Sequence, residues 1–411
     1  MTMPPAAIVD PYESGALLAP EFRRRGHQCS MVQSHAEMPA EFLKTFRRRD
    51  YEEIIRHADN LEETAARLRN LGTRYVVAGS EWGVNLADQL SEALGLASNG
   101  ARLTHARRNK FMMAQAVTRR GLRTPRQFCA GHVEQLLAWV RRNDCWPIVV
   151  KPPHSMSSEG VCLCGSETEV AQAFARLSGK VNKLGLVNET VLVQEFLEGP
   201  EYIVDTVSSA GQHRLIAIWK YTKQTAQPGL IGSFETKELL DREGDLARRL
   251  FEYASGVLDA LEISYGPGHC EIVLVDGEPY LLELGARTHG GELAHATCRA
   301  ATGLSQIDAT VESYLDPARF LRRPLKPRAR SRGALMILLK PGLNGRVRAF
   351  KNLPEIKALP SFHGLHMDAR LGQPPPRFLG LVILLHRERA IIEQDLRRIR
   401  ELEEDGFYET E

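Results

Sequence analysis

The chain lacks a surplus of either charge. Its 53 Lys and Arg stand against 51 Asp and Glu, a formal net charge of +2. That balance argues against a nucleic-acid binder working by bulk phosphate attraction, while leaving room for a local basic cleft. Long apolar runs are missing too. The longest, Ala334 to Leu339 and Leu379 to Leu385, fall far short of the roughly 20 residues a bilayer span needs. Met1-Thr-Met-Pro-Pro5 puts no basic residue ahead of an apolar block, so no secretory leader is expected. The seven cysteines are scattered, Cys162 and Cys164 being the closest pair, and none has metal-finger spacing. Reduced thiols in a cytoplasmic protein are expected. There is no G-x-x-x-x-G-K-[ST] phosphate loop, internal repeat or low-complexity tract.

What is present is a globular mix: 411 residues, 43% hydrophobic and 25% charged. At about 150 residues per domain this predicts two or three domains. The first hundred residues alternate strand and helix signals: Ala6–Val9, a helix from Ala16 to Arg25 stopped by Gly26, then strands at Gln28–Val32 and Arg74–Ala78. This rhythm predicts a parallel α/β sheet, with the loops Asp10–Gly15 and Gly79–Asn85 at its ligand-binding end. Helices are predicted at Val84–Leu94, Ala106–Arg120, Glu167–Val181 and Asp245–Leu261. Strands are predicted at Pro147–Lys151, Val191–Phe196, Glu201–Ser208 and Arg214–Lys220. Thr222–Gly232, with Pro228, Gly229 and Gly232, reads as a mobile loop and a candidate gate. The Arg- and Pro-rich stretch from Asp316 to Arg332 reads as a basic linker to a smaller unit.

The sharpest local signal is a hairpin. Gly268–Val275 and Glu278–Gly285 flank Asp276-Gly277, and each strand carries one carboxylate in an apolar setting, Glu271 and Glu283. Two such carboxylates repel unless a cation lies between them, and hard oxygens suit Mg²⁺. A strict two-residue turn sets Glu271 opposite Leu282 and throws Glu283 to the other face. A three-residue loop, Asp276-Gly277-Glu278, is therefore expected. The competing reading is an edge hairpin with two solvated glutamates. Arg287 follows, suited to a phosphate or oxyanion. His289, then Gly290 and Gly291 at a helix start, offer backbone N–H groups to an anion.

A second cluster is basic. Lys110 lies on a helix, and Lys151 ends a strand before a polar loop containing His154, Ser155, Ser157, Ser158 and Gly160, fit for gripping phosphates. A third, Gln194-Glu195-Phe196-Leu197 followed by Gly199-Pro200-Glu201, offers a backbone edge for an adenine and a carboxylate for a ribose.

In this order the three clusters, with the Val9–Gly15 start, resemble the ATP-grasp superfamily, and most closely bacterial L-amino acid ligases, from Ala6 to about Leu315. The resemblance implies an α/β architecture with α+β lids: an N-terminal parallel α/β domain (1–103), a central lid (104–190), an antiparallel catalytic domain (191–320) and a small α+β C-terminal subdomain (333–411). It implies ATP, one or two Mg²⁺ ions with Mn²⁺ as a substitute, and amino acid substrates. No nucleic-acid or membrane partner is expected, and a homodimer is compatible. Lys110 and Lys151 would bind phosphates, with hydroxyls or His154 assisting. Gln194, Glu195 and Leu197 would hold adenine, with Phe196 beside them, and Glu201 the ribose. Glu271 and Glu283 would bind the metal, and Arg287 would stabilise the transferring group. His269, Gly290 and Gly291 would meet substrate, and His269, His289 and Glu292 are the candidate bases. The activity implied is amino acid ligation through an acyl phosphate. Rival readings are a hydrazine or carrier-bound amine acceptor, and a regulatory ATP-binding protein. Two departures stand out. The loop after Lys151 holds only Gly160, and Gly285 stands where many members have Asn, so a second ion would lack a side-chain ligand.

Overall fold

In the computed structural model, the described residues are 3–156, 158–223, 234–324, 331–338, 345–376, 379–406 and 408–410. The N-terminal unit is a parallel sheet of β1 (Met3–Val9), β2 (His27–Gln33), β3 (Glu53–Arg56) and β4 (Tyr75–Ala78) in the order β3-β2-β1-β4. Its strands are short apolar runs because both faces are covered. Ala6 and Ile8 face one core with Phe22 and Trp82, whereas Ala7 and Val9 face another with Leu68 and Leu90. The first helix begins as a 3-10 turn over Glu13–Leu17 and continues over Leu18–Arg24, with Gly26 at φ 87° behind it. Strand β3 carried no recognisable signal, being four residues long.

The lid is an antiparallel sheet of β5 (Gln127–Ala130), β6 (Ile148–Lys151), β7 (Cys162–Cys164) and β8 (Val191–Glu195), ordered β5-β8-β6-β7. Strand β8, expected to open the catalytic domain at 191, pairs with both β5 and β6 inside this sheet. The chain leaves the lid after Glu195, where the turn at Gly199-Pro200 begins.

The largest sheet has eight strands. β9 (Glu201–Ser209), β10 (Gln212–Lys223), β11 (Phe234–Leu239), β12 (Gly266–Val275) and β13 (Glu278–Gly285) are joined by β14 (Arg332–Leu338), β16 (Phe362–Met367) and β17 (Gly380–His386), the last three from beyond the basic stretch. β15 (Val347–Phe350) pairs apart with β18 (Tyr408–Thr410). The order is β13-β12-β9-β10-β11-β14-β17-β16. The small subdomain expected at 333–411 has a core of its own around Ile356, Leu384 and Ile399, yet Thr236 pairs with Met336 and its strands continue the catalytic sheet. Part of the expected linker is helix, Pro317–Arg322, with Asp316 capping the Arg319 N–H. Of the expected loop at Thr222–Gly232, Thr222 and Lys223 belong to β10, and 224–232 lie outside the described residues.

One face of the large sheet is apolar. Tyr202, Val204, Ile218, Cys270, Ile272, Leu281 and Leu284 pack there with the helix Asp245–Ala260. At about 1.5–3 kcal/mol for each large apolar side chain buried, this layer fixes the sheet. The other face carries the charged groups of the site. The units are further tied by Arg107, whose buried guanidinium donates to Asp88 (2.6 Å), to the carbonyls of Asn99 and Gly100, and to those of Leu261 and Glu262. Removing one partner of such a pair strands a buried charge. Arg107→Met should lower stability by about 3–5 kcal/mol in urea titration. Asp88→Asn added to it should restore part of the loss, because the orphaned carboxylate is gone.

Candidate active site

The hairpin delivers its two carboxylates by a route the sequence did not suggest. Val275 pairs with Glu278, so the turn is the strict two-residue Asp276-Gly277, with both residues at positive φ (51° and 79°). That combination is a type I′ turn, matched to strand twist. The expected three-residue loop is therefore wrong. The register changes instead between Ile272, opposite Leu281, and Glu271, opposite Glu283. Leu282 is the extra residue of a β-bulge. It lets Leu281 and Leu284 both reach the core while Glu283 joins Glu271 on the charged face.

Register lays out the rest of that face. His269 pairs with Asp205, Glu271 with Ile203 and Val273 with Glu201. Tyr221 pairs with Glu201 and with Lys237. The result is a strip of buried and half-buried ionisable groups. Lys223 Nζ lies 2.5 Å from Glu201, the residue expected at the ribose. Burial raises the Glu201 carboxyl above its ordinary value, against the pull of Lys223. Glu271 is drawn down to about 2, since His269, Lys223 and Arg287 outweigh its burial.

The lid supplies the facing cations. Asn109 caps the helix Lys110–Arg119 by accepting from the Phe111 and Met112 N–H groups. The expected helix start at Ala106 therefore moves to Lys110, which stands at the first helical position. Lys110 Nζ lies 3.1 Å from Glu283 and donates to the Ser155 carbonyl at 2.8 Å. Lys151 is held by Gln194 Oε1 at 2.9 Å, while Gln194 Nε2 donates to Gln127. The Gln194 amide thus orients the lysine, where it was expected at the adenine. Burial, with Lys110 adding repulsion, lowers Lys151 to about 8. Met156 and Leu184 of the lid bury beside Tyr12, Phe42 and Trp82 of the N-terminal unit, so the clamp is closed.

Along the backbone edge expected for an adenine, the Glu195 N–H donates to Arg126 O and the Phe196 N–H to Pro147 O. The Glu195 carboxylate holds Arg126. His154 meets Asn109 at 3.0 Å, and burial lowers it to about 4, so it is a neutral ring beside the lysines. Ser158 is exposed at φ 56°, Gly160 has φ 69°, and Ser157 lies outside the described residues. A Cβ at Gly160 would lie 2.6 Å from Leu177 Cδ2, which accounts for glycine there.

Arg287 is half-buried among Glu81, Glu13, Glu283 and Glu271, which hold it charged. Its Nε lies 3.3 Å from Glu81 and its Nη1 donates to Thr288 O. A Cβ on Gly285 would approach the guanidinium to 3.2 Å, so this glycine makes room for Arg287. Gly291, at φ 85°, opens the helix Glu292–Thr302, and Gly290 precedes it with open space around it. Glu292, a candidate base, pairs with Arg47 at 2.9 Å near the surface. His269 and His289 are buried and both bind Asp205. Asp205, Lys237, Tyr221, Lys223 and Glu81 escaped the sequence reading. Each is an ordinary residue of its segment; strand register brings Asp205, Tyr221, Lys223 and Lys237 to the site, and the turn over Glu81–Gly83 brings Glu81.

Glu271 and Glu283 face one way, with hard oxygen donors and Lys110 beside them, and so fit a hard divalent cation. Asp205, His269 and His289 also present donor atoms within 4.8 Å of one another. There each His Nδ1 is hydrogen-bonded to Asp205, so those donor atoms are engaged with one another.

Two sheets closing on a shared strip of lysines and carboxylates form the clamp of an ATP-dependent ligase. Similarity to known proteins carries this further. Residues 145–295 match the ATP-grasp domain. Dapdiamide A synthase of Enterobacter agglomerans is 30% identical over 98% of this chain and 96% of its own. The L-arginine-specific L-amino acid ligase of Bacillus subtilis is 23% identical over 69% of this chain and 67% of its own. The crystal structure of an L-amino acid ligase from Bacillus licheniformis superposes with a TM-score of 0.76 at 18% identity, covering 98% of each chain. The chain belongs to the ATP-grasp ligases.

A pH dependence follows. ATP phosphates at Lys151, where the sequence leads one to expect them, would favour its ammonium form, so binding below its pKa would need no proton, whereas above about pH 8 it would draw one in. ATP affinity should therefore fall as pH rises through about 8, approaching roughly tenfold per pH unit. Calorimetry at pH 8.5 in two buffers of different ionisation enthalpy should show proton uptake in the wild type and none in Lys151→Arg.

Proposed function

We propose that this enzyme joins two amino acids, or amino-acid-like substrates, through an acyl phosphate. The observation that carries the reading is the convergence of Glu271, Glu283 and Arg287 with Lys110 and Lys151. Adenine binding alone requires none of the acidic pair. Mg²⁺ held by Glu271 and Glu283 would supply charge neutralisation for the phosphates of ATP.

The donor carboxylate attacks the γ-phosphorus, the bond to the β,γ-bridging oxygen breaks, and ADP leaves. Lys110 and Lys151 hold the phosphate charge, and Arg287 faces the charge that develops on the transferring group. The acceptor amine then attacks the acyl carbonyl carbon, and phosphate departs with the electron pair of the broken C–O bond. The Oε2 of Glu81 is buried without a hydrogen bond, 3.3 Å from Arg287, and suits a substrate ammonium group. The closed lid keeps water from the intermediate.

A panel of amino acid pairs with ATP and Mg²⁺ tests this by phosphate release and product mass. At least one pair should give stoichiometric ADP, phosphate and a condensed product. ATP binding without phosphate release for every pair would leave a regulatory nucleotide-binding protein. Glu271→Gln and Glu283→Gln should each lower kcat/KM at least ~100-fold, about 2.7 kcal/mol of transition-state stabilisation.

A further inference from the structure

The ligation reading leaves one cluster on the charged face unused. Asp205 is fully buried and holds three donors: His269 Nδ1 at 2.9 Å on Oδ1, and His289 Nδ1 at 2.8 Å and Trp219 Nε1 at 2.9 Å on Oδ2. This fixes the His289 tautomer. With Nδ1–H given to the carboxylate, Nε2 is an acceptor. Two groups reach that nitrogen, Lys237 Nζ at 3.0 Å and Tyr221 OH at 3.1 Å. Both ring nitrogens of His289 are therefore engaged inside the protein. His289 was a candidate base in the sequence, and the structure instead makes it the group that aims Lys237.

Lys237 stands on the same sheet face as Glu271, paired across strands with Tyr221 and Leu335. It is buried, and its ammonium lies 4.8 Å above the Tyr221 ring. The charged and titratable groups around it are Asp205, Glu271 and Glu13, which favour its charge, and Arg287, which opposes it, with His289 and Tyr221 in contact. Buried lysines lose charge readily, and here burial lowers the group to about 8.

We propose that Lys237, aimed by the Asp205–His289 pair, is the base that accepts the proton of the acceptor amino acid's ammonium group. This rests on the ligation reading and names the proton acceptor it lacks. In its neutral form Lys237 donates one N–H to His289 Nε2 and turns its lone pair to the substrate. A proton passes from the substrate ammonium to Nζ. The freed amine pair forms the C–N bond, the C–O bond to phosphate breaks, and the second amine proton leaves with phosphate. Asp205 and His289 are positioning residues, and Lys237 is the catalytic one.

Hydroxylamine separates this step from activation, because it is neutral at pH 7 and needs no base. In Lys237→Met, hydroxamate formation from the donor amino acid and ATP should stay within about threefold of wild type. Ligation to the acceptor amino acid should fall about 10²–10⁴-fold, the usual share of a general base. Lys237→Arg, which keeps the charge but cannot take a proton, should be as impaired. Alkylating Lys237→Cys to a thioether amine should restore ligation with its pH profile moved to lower pH. Asp205→Asn should lower kcat for ligation with the acceptor KM little changed. ADP binding by each variant checks that it is folded. Loss of hydroxamate in Lys237→Met, or rescue by Arg through acceptor KM, would overturn the assignment. Wild-type enzyme giving neither hydroxamate nor dipeptide with any amino acid would overturn the ligation reading itself.

Discussion

Everything in the site depends on holding like charges close together with little water between them. Glu271 and Glu283 face each other across one strand pair, and Lys110 and Lys151 lie opposite on the lid. None of these groups is stable there alone. A buried carboxylate or ammonium costs several kcal/mol unless it is paired. The apolar reverse side of the sheet, packed on Asp245–Ala260, supplies the rigidity that keeps them in place. A nucleotide with its cation, as proposed above, would enter a field already balanced for it, and for that lid and sheet must meet.

The same logic governs the second half of the strip. Asp205 stays ionised in full burial because two imidazoles and an indole donate to it. Its charge sets the orientation of both rings, one toward Glu271 and the other toward Lys237. A single carboxylate thereby connects the Glu271 end of the sheet to the Lys237 end, where the proposed amine would arrive. Burial makes this connection stiff, since neither ring can turn without stranding a donor.

Much of this was legible in the residues. Asp276-Gly277 announced the hairpin, the acidic pair stood out against apolar neighbours, and Lys151 closed a clear strand. The parallel start showed in the β-α-β rhythm. What escaped was set by pairing between distant segments. Asp205 meets His269 across 64 residues, and nothing in Tyr202-Ile-Val-Asp-Thr206 marks it as more than a strand. The bulge at Leu282 has no signature, because a bulge is a compromise between core parity and register that appears only once both strands are placed. The Arg- and Pro-rich stretch misled for a similar reason. Its composition is that of a tether, but sheet membership is decided by which strand edge is left open, and β11 offered one.

That shared edge has a practical meaning for anyone dissecting the chain. Truncation before Gly333 would not shed an accessory module. It would uncover the backbone donors and acceptors of β11 next to Lys237, a naked template on which a second molecule can dock its own strand. The tail is therefore a selvage, woven from the same cloth as the active site, and the fabric unravels from there.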